Sequence, residues 1–234
     1  GRPGPVVIDV PKDTTDPSAT YAYEYPSTVA MRSYKPAFEG DSHQVNLAIE
    51  ALLAAKRPVF YVGGGVIQAD AEDSLRALVK AANVPVTSTL MGLGAYPGSD
   101  PQSLGMLGMH GTYEANMTMH ETDLIFALGA RFDDRVTNNP DKFSPKATIV
   151  HLDVDSASVD KIVRSDIALV GDAGWALNAL WDAYQARDAE RDAAEKEKQQ
   201  QDRVKWWEQI EQWRSAHGLN HNMQPAEGQS ILPQ

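Results

Sequence analysis

Short apolar runs alternate with amphipathic helical patterns along the middle of the chain, and this alternation constrains the fold most strongly. The run Leu124–Leu128 is wholly apolar and ends at Gly129, which is typical of a strand buried inside a sheet. Four similar runs predict the strands Val59–Val62, Val84–Ser88, Thr148–Leu152 and Ile167–Val170. Helices are predicted at about 42–56, 70–82, 112–120 and 159–163, and from Ala173 onward. The alternation predicts an α/β fold with a doubly wound, Rossmann-like parallel sheet.

The carboxyl ends of these predicted strands all carry polar or glycine residues. Right-handed crossovers bring parallel strand ends to one edge of the sheet, where ligands of such folds bind. The five ends are Gly63–Gly65, Thr89–Met91, Gly129–Arg135, Asp153 and Gly171–Asp172. Their coincidence predicts one large, extended ligand.

The glycine and arginine motifs each allow two interpretations. Gly63–Gly65 departs from the dinucleotide fingerprint G-x-G-x-x-G because position 68 is Gln, so it is either a tight turn or a phosphate-binding turn. Arg131 and Arg135 flank two carboxylates, which suits an anion site or a solvated loop with internal ion pairs.

Three other features remain equally open at this point. Asp153 suits a ribose hydroxyl or an adenine amine, or else caps a helix. Met91, Met106 and Met109 either fill the core or face a flat ring such as flavin. His110 is a core or surface histidine, and no metal site is predicted because the six histidines lack ligand spacing.

The composition excludes several classes of protein. A net charge of −11 argues against nucleic acid or an anionic membrane as partner. The absence of cysteine excludes disulfides, Cys-ligated zinc and Fe–S clusters. No apolar run has the length needed to span a bilayer.

Both ends of the chain differ from the alternating middle. Val6–Val10 is predicted as a strand, and residues 14–41 as a linker or a surface crossing. Residues 186–203 predict a charged helix, continued by the packing residues Trp206, Trp207 and Trp213. The predicted organisation is the end of a preceding domain plus linker at 1–41, a central α/β domain at 42–185, and a helical extension with a linker to a following domain at 186–234.

The motifs together resemble one family of enzymes. The most specific stretch is Arg131–Thr137, and the others are 1–13, 62–65, 109–111 and 170–173. On these residues the chain resembles the central domain of thiamine-diphosphate-dependent enzymes, and within them the acetohydroxyacid synthase (acetolactate synthase) family. No family motif matches the charged helix at 186–203.

The resemblance implies an enzyme with three α/β domains. The outer two would bind thiamine diphosphate and magnesium between subunits, and the middle one would bind FAD. The reaction would join two pyruvates, or pyruvate and 2-ketobutyrate, with loss of carbon dioxide, in branched-chain amino-acid synthesis. The family further implies a cytoplasmic homodimer or tetramer with a possible regulatory small subunit. The chain alone is expected to be inactive, since the thiamine-activating glutamate and the Gly-Asp-Gly metal motif belong to the flanking domains.

Site residues follow from the resemblance by position. Arg135 would be catalytic, as the partner of a 2-ketoacid carboxylate, and Lys12, Asp134 and Arg135 would lie near the substrate channel. FAD contacts would come from Arg2, Gly63, Gly64, Thr89, Leu90, Met109, His110, Gly129, Arg131, Asp133, Arg135, Val136, Asp153 and Asp172.

Other functions remain open beside the synthase. Pyruvate oxidase and glyoxylate carboligase are FAD-containing relatives, but the run Phe132–Arg135 favours the synthase. A flavin electron-transfer module would instead pass electrons to a partner. An NAD-dependent deacylase of sirtuin type has a similar fold, and the absence of cysteine removes that family's usual zinc site.

Overall fold

A six-stranded parallel sheet forms the centre of the protein in the computed structural model, which describes residues 4–28, 32, 35 and 38–219. The strands are β1 (Pro58–Val62), β2 (Val86–Ser88), β3 (Ser103–Met106), β4 (Leu124–Leu128), β5 (Thr148–Asp153) and β6 (Ile167–Val170). Their order is β3-β2-β1-β4-β5-β6, and every neighbouring pair is parallel. This is the order of doubly wound folds, so the predicted fold class is confirmed.

Helices cover both faces of the sheet. They are α1 (Ser42–Ala54), α2 (Gly64–Gln68), α3 (Glu72–Ala82), α4 (Tyr113–Glu121), α5 (Asp134–Thr137), α6 (Ala173–Glu190) and α7 (Ala193–His217). Single 3-10 turns occur at Lys12–Thr15, Leu90–Gly92, Pro140–Lys142 and Ser156–Ser158. Of the helices in the described residues, none is long and apolar enough to cross a membrane.

The central strands bury both of their faces, which explains why they are apolar throughout. In β1, Phe60 and Val62 pack toward α1, α3 and α6. Val59 and Tyr61 point to the opposite core, which α4 and α7 complete. Side chains alternate across a strand, so a strand between two helical layers needs apolar residues at every position.

The sixth strand corrects the predicted number of five. Ser103–Met106, where no strand is predicted, pairs with β2 at the edge of the sheet. Gly105 has φ +77°, and the register shifts between Val86 and Ser88. The strand is short and irregular, and therefore lacks the periodic apolar pattern that marks the other strands.

The predicted strand at Val6–Val10 is wrong. These residues are in no strand, and Val7 is 91% exposed. An apolar extended segment forms a strand only where a neighbouring backbone accepts its hydrogen bonds. Within the described residues no strand pairs with this segment.

Two predicted helices also need correction. No helix forms at 159–163, where a 3-10 turn at Ser156–Ser158 is followed by turns and bends. The charged helix at 186–203 is not continuous, because α6 ends at Glu190 and α7 begins at Ala193. Asp192 starts the new helix by accepting a hydrogen bond from the Glu195 amide at 2.8 Å.

Glycines allow the carboxyl ends of β1 and β4 to contact each other. Between these two neighbouring strands the order of strands changes its direction across the sheet. A Cβ on Gly63 would lie 2.1 Å from the Gly129 carbonyl oxygen. One on Gly129, which has φ +59°, would lie 2.8 Å from the Gly65 Cα. The Gly65 amide donates to the Gly129 carbonyl at 3.2 Å. Only residues without side chains permit this approach.

Helix α7 packs against the amino ends of the strands, at the end of the sheet remote from the contact between Gly63 and Gly129. Arg203 is buried and donates to the carbonyls of Leu52, Ala55 and Ala82, near the ends of α1 and α3. Burial lowers its pKa to about 10. The Trp206 indole donates to the carbonyl of Pro58 at 3.1 Å. Arg203 therefore satisfies carbonyls that lack a partner inside their own helices.

We expect Gly63→Ala to destabilise the fold by about 1–3 kcal/mol, because its methyl group would overlap backbone atoms that cannot move aside. Gly98→Ala is the matched control, since a Cβ there meets nothing within 4 Å. Urea unfolding of both variants measures the difference. Equal stability of the two would show that the contact between β1 and β4 tolerates a side chain.

Arg203→Ala should lower the free energy of unfolding by on the order of 3 kcal/mol, since it leaves buried carbonyls without donors. Arg187→Ala provides the comparison, because Arg187 is half-exposed and pairs with Glu50 at the surface at 2.6 Å. Its loss should cost about 0–1 kcal/mol. Similar denaturation midpoints for the two variants would contradict the role given to Arg203.

Candidate functional site

A cleft of about 930 Å³ runs along the carboxyl ends of the strands. It extends from the loops after β2 and β3, across the contact between β1 and β4, to the ends of β5 and β6. Its volume lies in the range of cofactor pockets. The edge predicted to bind a ligand is therefore the edge that carries the cleft.

Twelve of the fourteen FAD contacts that the resemblance implies line this cleft. They are Gly64, Thr89, Leu90, Met109, His110, Gly129, Arg131, Asp133, Arg135, Val136, Asp153 and Asp172. Gly63 is buried against Gly129 instead of facing the cleft, and Arg2 lies outside the described residues. Residues as far apart in sequence as Gly64 and Asp172 thus meet in one concavity.

The cleft also contains residues that sequence reasoning did not assign to it. They include Phe38, Tyr61, Ile67, Gln68, Ala69, Leu107, Leu152, Val154 and Ala173. Several follow directly on a predicted strand end, so a wider window around each end would have found Val154 and Ala173. Phe38 comes from the segment predicted as a linker, and no local pattern marks it.

The charged loop after β4 orders its own carboxylates. Asp133 caps α5 by accepting from the Arg135 amide at 3.2 Å, and its other oxygen lies 3.4 Å from Arg131 Nη2. Its pKa is lowered by the contact with the Asp134 side chain, by the hydrogen bond from the Arg135 amide and by the nearby positive charges. Asp133 is therefore a carboxylate that holds Arg131.

Arg135 differs from Arg131 because its guanidinium is not paired with Asp133. Its amide caps onto Asp133, but its exposed guanidinium makes no hydrogen bond or ion pair with the described residues. Arg135 thus lines the cleft with its side-chain donors available to a ligand.

Hydrogen bonds to backbone groups hold the loop after β3 against the charged loop after β4. The Asn116 side chain accepts from the Gly108 amide at 2.8 Å and donates to its carbonyl at 3.1 Å. The Met109 amide donates to the Arg135 carbonyl at 3.2 Å. Gly108 has φ +94° and approaches the same carbonyl closely. These contacts fix the backbone that places Met109 and Arg135 on the same wall.

The two ends of the cleft differ in polarity. Met91 and Met109 are 74% and 64% exposed at the end formed by the loops after β2 and β3. At the other end Asp153 is buried, and one of its oxygens accepts from the Asp155 amide at 2.9 Å. Asp172 caps α6 by accepting from the Gly174 and Trp175 amides. An apolar end and an acidic end suit a ligand with two chemically different halves.

Tyr61 lies in the wall beneath the charged loop. Its ring packs 5.7 Å from that of Phe132, and its hydroxyl is buried with no hydrogen-bond partner in the described residues. Burial, followed by the negative charge of Asp133, raises the pKa of the hydroxyl. Tyr61 is therefore a neutral phenol.

Lys12 and Asp134 do not line the cleft in the described part of the chain. Lys12 begins an exposed 3-10 turn, and Asp134 is exposed in the first turn of α5. Their role in a substrate channel stays a prediction. Within residues 4–28, 32, 35 and 38–219, no cluster of three or more His, Asp or Glu side chains is arranged to hold a metal ion.

This chain is similar to known proteins of one enzyme family. A family model described as "Thiamine pyrophosphate enzyme, central domain" matches residues 45–180. Acetolactate synthase isozyme 3 large subunit of Escherichia coli is 48% identical to the chain over 240 residues, covering 100% of this chain and 39% of that protein. The acetolactate synthase large subunit of Haemophilus influenzae is 48% identical, covering 92% and 36%. That of Parasynechococcus marenigrum is 42% identical, covering 100% and 36%.

The matches cover most or all of this chain but only part of each relative. The chain spans less than two fifths of the length of these three proteins. The matched family model covers α3, α4 and all six strands, and so includes most of the cleft-forming loops. This chain therefore belongs to the thiamine pyrophosphate enzyme family and contains its central domain.

Proposed function

We propose that this chain is the FAD-binding central domain of an acetolactate synthase, which condenses two pyruvates, or pyruvate and 2-ketobutyrate, with decarboxylation. The observation that carries the proposal is the gathering of twelve implied contacts in one cleft. The similarity to acetolactate synthase large subunits favours this function over pyruvate oxidase and glyoxylate carboligase. No contact in the described residues specifically favours an electron-transfer module.

The residues of the cleft fit FAD chemically. The cradle at Gly64, Gly65 and Gly129 lacks side chains, so a dinucleotide can approach the backbone closely. Arg131 offers guanidinium donors to a phosphate. Met91 and Met109 suit the flavin ring, and Asp153 suits a ribose hydroxyl or the adenine amine. Bound here, FAD would serve mainly as structure, since the net reaction does not consume it.

The two arginines have separate roles in this proposal. Arg131 is paired with Asp133 and would contact the cofactor. Arg135 has an unpaired fork within the described residues and would receive the carboxylate of the acceptor 2-ketoacid. Lys12 and Asp134 would approach the substrate channel once flanking domains are in place.

The rest of the active site would come from other parts of the assembled enzyme. Flanking domains would bind thiamine diphosphate and magnesium, and the full protein would be a cytoplasmic homodimer or tetramer with a possible regulatory small subunit. The chain by itself would then form no acetolactate.

We expect FAD to bind and stabilise the protein. At a free FAD concentration one hundred times the dissociation constant, the free energy of unfolding should rise by about 2.7 kcal/mol. Flavin fluorescence titration and urea unfolding measure both effects, on this chain and on the protein with its flanking sequence. NAD⁺ is the control ligand because it carries the same adenosine diphosphate half. Tight binding of NAD⁺ without binding of FAD would contradict the proposal and favour an NAD-dependent function.

Arg135→Lys should lower turnover while FAD stays bound. Lysine keeps the charge but loses the bidentate geometry, and the loss of a charge-assisted hydrogen bond costs about 1.5–3 kcal/mol, or roughly tenfold to a hundredfold in rate. The measurement is acetolactate formation against 2-ketoacid concentration in the complete enzyme.

Arg131→Lys is the matched control for this variant, because both arginines lie between the end of β4 and the end of α5 and both are exposed. It should weaken FAD binding and restore turnover at saturating FAD. If Arg135→Lys kept full turnover and lost only FAD affinity, Arg135 would be a cofactor contact and its substrate role would be wrong.

A further inference from the structure

Phe38 occupies the rim of the cleft beyond its acidic end. Its side chain is 66% exposed and lines the cleft together with Asp172 and Ala173. A large aromatic side chain that is left in solvent at the edge of a ligand cleft offers a flat apolar surface to whatever binds there. Phe38 belongs to neither of the two apolar clusters that form the core.

The backbone at Phe38 is fixed to the end of β6. The Asp172 amide donates to the Phe38 carbonyl at 3.0 Å. Gly40 and Gly171 then pack closely, since a Cβ on Gly171 would lie 3.1 Å from the Gly40 nitrogen. A Cβ on Gly40 would lie 2.9 Å from the Trp175 ring. These contacts hold Phe38 beside the strand end, within the segment 14–41 that is predicted as a linker or a surface crossing.

Phe38 lies at one end of the cleft, so it would contact only one half of a bound dinucleotide. The exposed methionines lie at the opposite end of the cleft, where they suit a flavin ring. The nearer end carries Asp153 and Asp172, and a buried carboxylate after a strand is the feature that recognises ribose or adenine polar groups in doubly wound folds. The ring nearest to Phe38 would then be adenine.

We infer that Phe38 stacks on the adenine ring of the dinucleotide and so distinguishes the adenine end of the site. This inference rests on the proposed FAD function. Adenine presents a flat π-face, and stacking on an aromatic side chain needs no hydrogen-bond pattern. Asp153 then supplies polar recognition and Phe38 supplies apolar contact at the same end.

Phe38→Leu and Phe38→Trp test the stacking in the protein as it occurs, including any flanking sequence. Leucine keeps apolar volume without an aromatic face, so the dissociation constant for FAD should rise about fivefold to a hundredfold. Tryptophan keeps the face, so its dissociation constant should stay within about twofold of the parent. The visible absorbance spectrum of bound flavin should be unchanged in both, because the substitution is at the adenine end. Tyr23→Leu is the control, since Tyr23 is also a solvent-exposed aromatic residue but does not line the cleft.

Other outcomes would overturn either the proposed function or the stacking alone. If the parent protein bound no FAD, the proposed function would fail, and this inference with it. If the parent bound FAD and Phe38→Leu bound it equally well, only the inference would be overturned. Equal losses in the leucine and tryptophan variants, or a shifted flavin spectrum, would also overturn it, because the ring would then act through packing or at the flavin end.

Discussion

The backbone contact between the turn Gly63–Gly65 and Gly129 is the constraint on which the rest of the structure depends. It lies where β1 and β4 end side by side, which is the point at which the sheet turns from one winding direction to the other. Side chains at these positions would push the two strand ends apart. Without them, the backbone itself forms the floor of the cleft, and the loops after β2, β3, β5 and β6 can converge above it. The ligand site is thus a consequence of how two strands meet.

The contacts of α7 at the amino ends of the strands stabilise the fold. Helix α7 is polar over most of its length, and only a few of its side chains are buried. Arg203 satisfies three carbonyls, and Trp206 fills the core below Pro58. Burying a guanidinium is costly unless its donors are used, and here each of its three nitrogens finds an acceptor. Because α7 stabilises the sheet from the edge remote from the cleft, the loops at the cleft edge are free to carry exposed and charged residues.

The elements that could be predicted from the sequence are those that depend on neighbouring residues. The elements that were missed depend on contacts between residues far apart in the chain. Central strands such as Leu124–Leu128 are apolar because both faces are buried. The helices predicted at 42–56 and 112–120 begin at the caps Asp41 and Thr112, which lie beside them in sequence. The edge strand containing Gly105 has no such pattern, and Val6–Val10 has the pattern without a strand to pair with. The same distinction applies to the site. Residues at strand ends could be predicted from topology, whereas the place of Phe38 depends on a contact between residues far apart in sequence, since it is fixed through Asp172.

The loop after β4 shows how one carboxylate can give two arginines different chemistry. Asp133 uses one oxygen for the Arg135 amide and the other for the Arg131 guanidinium, so it fixes the backbone of one arginine and the side chain of the other. The Arg131 guanidinium is partly neutralised and oriented. The Arg135 guanidinium keeps its full charge, while its backbone is held by Asp133 on one side and by the Met109 amide on the other. A side chain on a fixed backbone but without a partner of its own is the arrangement that favours binding a mobile anion, because no existing ion pair must be broken first.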